Sequence, residues 1–231
     1  MSETSVAPIQ TPILAGRSHF LLRRLHSLTG LMFGGYIVVH LVVNATMIQG
    51  TSPQDIFQLQ VAKIHALPFL LGVEWLFIYL PIIFHTVYGV LIILGCQPNV
   101  EKYPYAKNYF YLAQRISAVF IALFVLFHVL AMKGFLGSTL QFVPEDATRS
   151  TARHINSSFW VAYLVYPIGI LASCYHLANG FWTAAITWGL TISAGSQRRW
   201  GYICAGIFAF TLCCGFLALA AAIHNKAIVP H

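Results

Sequence analysis

The chain has 231 residues, 58% of them hydrophobic and only 8% charged, with a net charge of +7 and a mean hydropathy of +0.72. A soluble domain carries about 25% charged residues, so this composition excludes a soluble enzyme, a disordered chain and a nucleic-acid-binding domain. The positive charge rests on 13 Lys and Arg, too few for a phosphate-binding face and better suited to the basic loops of a membrane protein.

Residues 1–22 carry Pro8, Pro12 and Gly16 and lack the basic-then-apolar order of a signal peptide, which predicts an extended N-terminal arm. Five apolar runs follow, at about 25–47, 69–95, 116–132, 159–187 and 202–223. A membrane helix needs about 20 apolar residues, which the fourth run exceeds and the third only just meets. None shows the roughly ten-residue alternation of barrel strands. The connectors read as TSPQD, CQPNVEKYPYAKN, VPEDATRSTARHINSS and SAGSQRR. The expected fold is an all-α membrane domain over 23–224, with five transmembrane helices, the first four forming an up-down bundle, and a short tail at 225–231.

Positive charge sets the orientation. With the N-terminus inside, Arg17, Arg23, Arg24, Lys102, Lys107, Arg115, Arg198 and Arg199 lie inside, against Lys63, Lys133, Arg149, Arg153 and Lys226 outside. The tightest clusters, Arg23–Arg24 and Arg198–Arg199, both fall inside, and the C-terminus ends outside.

The five cysteines form no C-x-x-C pair, so covalent haem attachment and cysteine-ligated clusters are not expected. The ten histidines are more informative. His19, His65, His154, His224 and His231 fall in loops, arms or span edges, and His26 reads as interfacial beside Arg23 and Arg24. His40, His85, His128 and His176 instead lie inside the first four apolar runs, one on each. An ionisable residue inside a membrane marks a functional site by default.

At 1.5 Å per residue, His40 and His128 lie roughly 10 and 6 Å from the outer ends of their spans, and His85 and His176 roughly 24 and 26 Å. This gives an outer pair and an inner pair. In an up-down bundle, helices one and three are diagonal, as are two and four. Each pair therefore faces across the axis, as two axial ligands of one haem must. Bis-histidine ligation leaves the iron no open position, so such a site carries electrons and does not bind oxygen.

His85–Gly89 and His176–Gly180 place a glycine on each inner ligand's helix face, either for a macrocycle edge or for helix packing. Pro81, four residues before His85, leaves the Phe77 carbonyl without its helical partner. Arg24 and Arg115, at inner span ends with Arg23, are candidate partners of haem propionates or simple inside anchors.

The segments RRLHSLTG, HLVVN, LPIIFHTVYGV, QRISAVFIALFVLFHV, YHLANGFWTAAITWG and SQRR, in this order, resemble the cytochrome b subunit of succinate dehydrogenase. The likeness is to the single-chain, five-span, two-haem group related to fumarate reductase anchors, and covers most of 23–199. It implies two haems b: a proximal one on His85 and His176, nearer the cytoplasm, and a distal one on His40 and His128. It implies a flavoprotein subunit and an iron–sulfur subunit on the inner face, near the N-terminal arm and the Arg198–Arg199 loop. It further implies a quinone, expected to be menaquinone, as electron acceptor, and the bacterial cytoplasmic membrane as location; a higher oligomer of the complex is left open. Some two-haem fumarate reductases carry a Glu two residues before the fourth ligand; here that position is Cys174.

Near the outer haem, Glu74 is the leading proton-handling residue for the quinone and His65 a second relay. Glu74 precedes His85 by eleven residues, about three turns, which predicts one shared face. The competing quinone position is on the inner side, near His26 and Ser27. Two other classes stand beside this reading: a proton-coupled transporter or metal carrier using intramembrane His, and another quinone-linked di-haem cytochrome such as a dehydrogenase gamma subunit.

Overall fold

The structure, a computed structural model, describes residues 17–50, 54–95 and 98–225. Most of the expected N-terminal arm and all but Asn225 of the tail lie outside them. Helix α1 runs Arg17–Ala45 and ends in a 3-10 turn, Thr46–Gln49; α2 is Ile56–His65 and α3 Leu70–Glu74. A π turn, Trp75–Tyr79, joins α3 to α4, Leu80–Leu94. Next come α5, Ala106–Met132, and α6, Ala147–Ile155. A second π turn, Val161–Val165, leads into α7, Tyr166–Thr187, and α8 is Ala194–His224. Five of these stretches are long and apolar enough to cross a membrane: Phe20–Gln49, Leu70–Leu94, Ala106–Met132, Val161–Thr187 and Ala194–His224. We call them the first to fifth spans.

The first, third and fifth helices are longer than their apolar runs. The first begins at Arg17, inside the stretch expected to be arm, and the third begins ten residues before the run at 116. The fifth begins at Ala194, where Ser193 and Ser196 form a reciprocal capping box that satisfies otherwise unpaired backbone N–H groups. Both π turns end two residues before a proline, Pro81 in the second span and Pro167 in the fourth. Proline has no N–H to offer the carbonyl four residues back. The wider turn takes up the slack, with the Leu80 N–H bonding the Trp75 carbonyl and the Tyr166 N–H the Val161 carbonyl.

The first span packs on the second and the third on the fourth, while the second and third approach each other only weakly. The fifth lies across the first and fourth, outside the ring. Glycine permits the closest approaches. A Cβ at Gly215 would meet Ile170 at 2.6 Å, and one at Gly169 would strike the Phe124 ring.

The tightest core is at one end of the bundle, which we call the distal end. There α2 and α6 fold over the span ends, burying Met47, Phe57, Val61, Ala147, Ile155, Ala162, Tyr166 and Leu219 together. The Gln58 side chain bonds the Pro144 carbonyl at 2.7 Å and accepts from the Ala147 N–H at 2.6 Å, and Asn156 bonds the Ala222 carbonyl at 3.0 Å. Neither cap helix is evident in the connectors as read from sequence. Elsewhere large apolar side chains such as Val87, Leu123 and Leu126 point outward, as lipid contact requires. Cys174, Cys204, Cys213 and Cys214 are free thiols.

Candidate functional site: two facing histidine pairs

His40 of α1 faces His128 of α5, with ring centroids 6.0 Å apart and planes at 82°. His85 of α4 faces His176 of α7 at 6.2 Å and 84°. These are the two pairs expected from depth, each joining non-adjacent spans. A metal–imidazole bond of about 2.0 Å, with the ring centre about 1.1 Å beyond the nitrogen, would put two imidazoles facing each other across one metal ion about 6.2 Å apart, centre to centre. Both separations fit one iron between the rings.

The second nitrogen of every ring is engaged. Nδ1 of His85 lies 3.0 Å from the His26 carbonyl. Nδ1 of His176 lies 3.2 Å from the Gln114 carbonyl and 3.3 Å from the Ser117 hydroxyl. Nδ1 of His128 lies 2.9 Å from the Tyr166 hydroxyl, and Nδ1 of His40 3.4 Å from that of Tyr36. A ligating histidine donates its other N–H in this way, which fixes its tautomer and ring orientation. With Nδ1 occupied in all four, Nε2 is the nitrogen left to ligate.

Two further histidines join these sites. His26 stacks on His85, centroids 4.0 Å apart and planes at 12°, as well as supplying the carbonyl to its Nδ1. His154 of α6, fully buried, sits behind Tyr166 with Nε2 2.7 Å from the hydroxyl. Burial lowers the His154 pKa from 6.5 to about 4, and a backbone contact from Leu140 offsets only part of this. His26 had a sequence signal: it precedes His40 by 14 residues, about four turns, and so shares its helix face. His154 had none.

The glycines near the inner ligands have definite neighbours. A Cβ at Gly89 would lie 3.3 Å from the His26 ring, one at Gly180 3.7 Å from the Gln114 amide, and one at Gly30 only 2.6 Å from the His85 ring. Gly30 is therefore the position at which the first span makes room for the His85 ring. Arg24 lies against the Phe20 and Trp188 rings, at 5.0 and 4.8 Å, and Trp188 donates to Ser27 at 3.0 Å. Arg115 stacks over Tyr111 and donates to its carbonyl at 3.1 Å.

Glu74 does not share the His85 face. The π turn Trp75–Tyr79 lies between them and absorbs an extra residue, which rotates Glu74 by about 100° from the regular-helix count. The half-buried Glu74 instead interacts electrostatically with Tyr36, the residue that contacts His40. His65 is exposed at the end of α2, its Nδ1 3.0 Å from the Val61 carbonyl and its ring beside Phe142.

Paired imidazoles crossing the interior of an apolar helical bundle are the arrangement of a membrane-embedded b-type cytochrome. Residues 97–214 match the family described as the succinate dehydrogenase/fumarate reductase transmembrane subunit. The chain is also 32% identical, over 196 residues, to the succinate dehydrogenase cytochrome b558 subunit of Bacillus subtilis (strain 168), an alignment covering 84% of this chain and 93% of that protein. The chain belongs to this family of transmembrane subunits, and so to an enzyme complex. That membership does not favour the transporter or metal-carrier alternative.

Proposed function

We propose that the chain is the membrane anchor and di-haem electron carrier of a succinate:quinone oxidoreductase, working toward quinone or, in reverse, toward fumarate. The observation that carries this reading is the pair of histidine–histidine separations, 6.0 and 6.2 Å, with Nδ1 of every ring already engaged. His85 and His176 would hold the proximal haem b, and His40 and His128 the distal one. Each haem, when bound, supplies a one-electron carrier with no free coordination position.

The chain's own residues orient these ligands. The carbonyls of His26 and Gln114 accept from the proximal imidazoles and hold Nε2 toward the axis. The His26 ring closes one side of His85, and the core under α2 and α6 reaches His128 through Tyr166. Arg24 and Arg115, at the opposite end, would pair with propionates, with Gly89 and Gly180 shaping the proximal site.

The same reading places a flavoprotein and an iron–sulfur subunit on the proximal face, in the cytoplasm of a bacterium, with the chain in its inner membrane. Its N-terminus would be cytoplasmic and its C-terminus outside. A quinone, menaquinone in our reading, would accept electrons near the distal pair. Quinone reduction takes two protons with two electrons; Glu74, within electrostatic range of Tyr36, would relay them, with the exposed His65 a second station.

Reduced-minus-oxidised spectra of the purified complex test the assignment. Two bis-histidine components are expected. His85→Ala and His176→Ala should each delete one component, and His40→Ala and His128→Ala the other. Loss of the same component from His85→Ala and His128→Ala would refute the pairing.

A further inference from the structure

The four ligands are not held alike. Both proximal imidazoles face backbone carbonyls, and His40 makes a long 3.4 Å contact to Tyr36. His128 alone has a short two-step connection, 2.9 Å to the Tyr166 hydroxyl and 2.7 Å onward to Nε2 of His154. Tyr166 and His154 are both buried, His154 being the largest fully buried side chain. It lies on α6, whose other buried residues are Ala147, Thr148, Ser150, Thr151, Ala152 and Ile155.

The hydrogens in this chain can run only one way once His128 uses Nε2 as a ligand. Neutral His128 then carries its proton on Nδ1 and donates it to the tyrosine oxygen. A hydroxyl has one hydrogen to give, and its remaining neighbour at bonding distance is Nε2 of His154, which must accept. His154 therefore keeps its proton on Nδ1. Each member fixes the next.

We propose that Tyr166 and His154 are positioning residues for the distal haem: a directed hydrogen-bond chain, anchored in the cap helix α6, that locks the His128 tautomer and strengthens it as an electron donor to the iron. The proposal rests on the di-haem reading above. A donated Nδ1–H raises the basicity of the ligating nitrogen, and a more basic ligand favours the ferric over the ferrous state. Removing the acceptor should thus raise the distal potential and leave the proximal one in place. The ordinary alternative is that Tyr166 and His154 satisfy each other as buried polar groups and do nothing for the iron.

Potentiometric titration of the haem spectra in the whole complex separates these. For Tyr166→Phe, we expect the distal site's preference for ferric iron to fall about tenfold, which for one electron is about 59 mV upward. The proximal component, titrated in the same sample, should not move, which also reports that the bundle is folded. His154→Leu should shift the distal component in the same direction. His154→Gln, whose amide oxygen can accept from Tyr166, should restore most of the wild-type value. A distal potential unchanged in Tyr166→Phe overturns the proposal, as do equal shifts in His154→Leu and His154→Gln. If Tyr166→Phe does not assemble, the two His154 variants decide it by the same criterion. A wild-type complex with a single titrating component would overturn the di-haem reading and this proposal together, whereas two components with unmoved variants overturn the proposal alone.

Discussion

Gly30→Ala adds one methyl group on the first span and acts on a ligand carried by the second. The new Cβ would lie 2.6 Å from Cε1 and 2.9 Å from Nδ1 of His85. Ordinary carbon contacts lie at about 3.5–4.0 Å, so the ring must withdraw by about 1 Å. One side is closed by the His26 ring, stacked at 4.0 Å, and the bond from Nδ1 to the His26 carbonyl is already 3.0 Å long. The ring has to tilt or move along the axis joining it to His176. Metal–ligand distances tolerate about 0.2 Å, so the displacement is several times what one site can absorb. The proximal haem should be lost or bound at least tenfold more weakly, the scale seen when ligand-supporting contacts are removed. The helix itself gains, since alanine is the better helix former by about 1 kcal/mol, so misfolding of α1 does not mimic the effect. The assay is the haem-to-protein ratio with the low-temperature spectrum, the distal component serving as internal control. Gly35→Ala, with nothing within 4 Å of its new Cβ, should be silent. A Gly30→Ala protein with both components and a wild-type spectrum would refute the reasoning.

Glu74→Gln should slow succinate–quinone turnover while both haems stay reducible by succinate; unaltered turnover would remove Glu74 from the proton path. The pH dependence of stability should carry a signature of His154, whose pKa burial lowers from 6.5 to about 4. As pH falls through this window the unfolded chain takes up the proton first, so stability is full above about pH 6.5 and declines toward pH 4, by at most about 3 kcal/mol. His154→Gln should flatten that slope in thermal unfolding between these pH values, and an equally steep slope would count against a neutral buried imidazole.

The four paired histidines were legible because an imidazole in an apolar run stands out against its surroundings, and depth along a helix is a matter of counting residues. His26 escaped because Arg23 and Arg24 beside it read as the membrane edge, although its four-turn spacing from His40 lay in the sequence. The contact of His154 with Tyr166 joins a polar connector to the start of a span, and no periodicity links the two. Helix α6 was hidden because it is only nine residues long and its buried face mixes Ala147, Ala152 and Ile155 with Thr148, Ser150 and Thr151, Ser150 bonding the Val143 backbone, so it reads as a polar connector rather than an apolar run. The third and fifth spans proved longer than their apolar runs because each helix continues into the polar interface, the fifth as far as the Ser193–Ser196 capping box. Glu74 shows a different limit. Counting assumes 3.6 residues per turn, and a single π turn before Pro81 is enough to swing a side chain to another neighbour.

The fifth span carries no paired histidine, yet it touches both sites through the helices it braces. It packs on the first and fourth spans, which hold His40 and His176, one member of each pair. The other members, His85 and His128, sit on the second and third spans, which pack far less against it, the third meeting it through Lys107 and Gln197, and which barely touch each other. Each pair thus has one imidazole on a span braced by the fifth and one on a span with little of that bracing, and both less-braced spans border the same seam. A flat, rigid group sliding in sideways would meet least resistance there, because parting the second and third spans disrupts little packing and leaves the braced half as a fixed template. Maturation of both sites would then share one doorway, and a bulky substitution wedged into that seam would hinder loading at both sites at once.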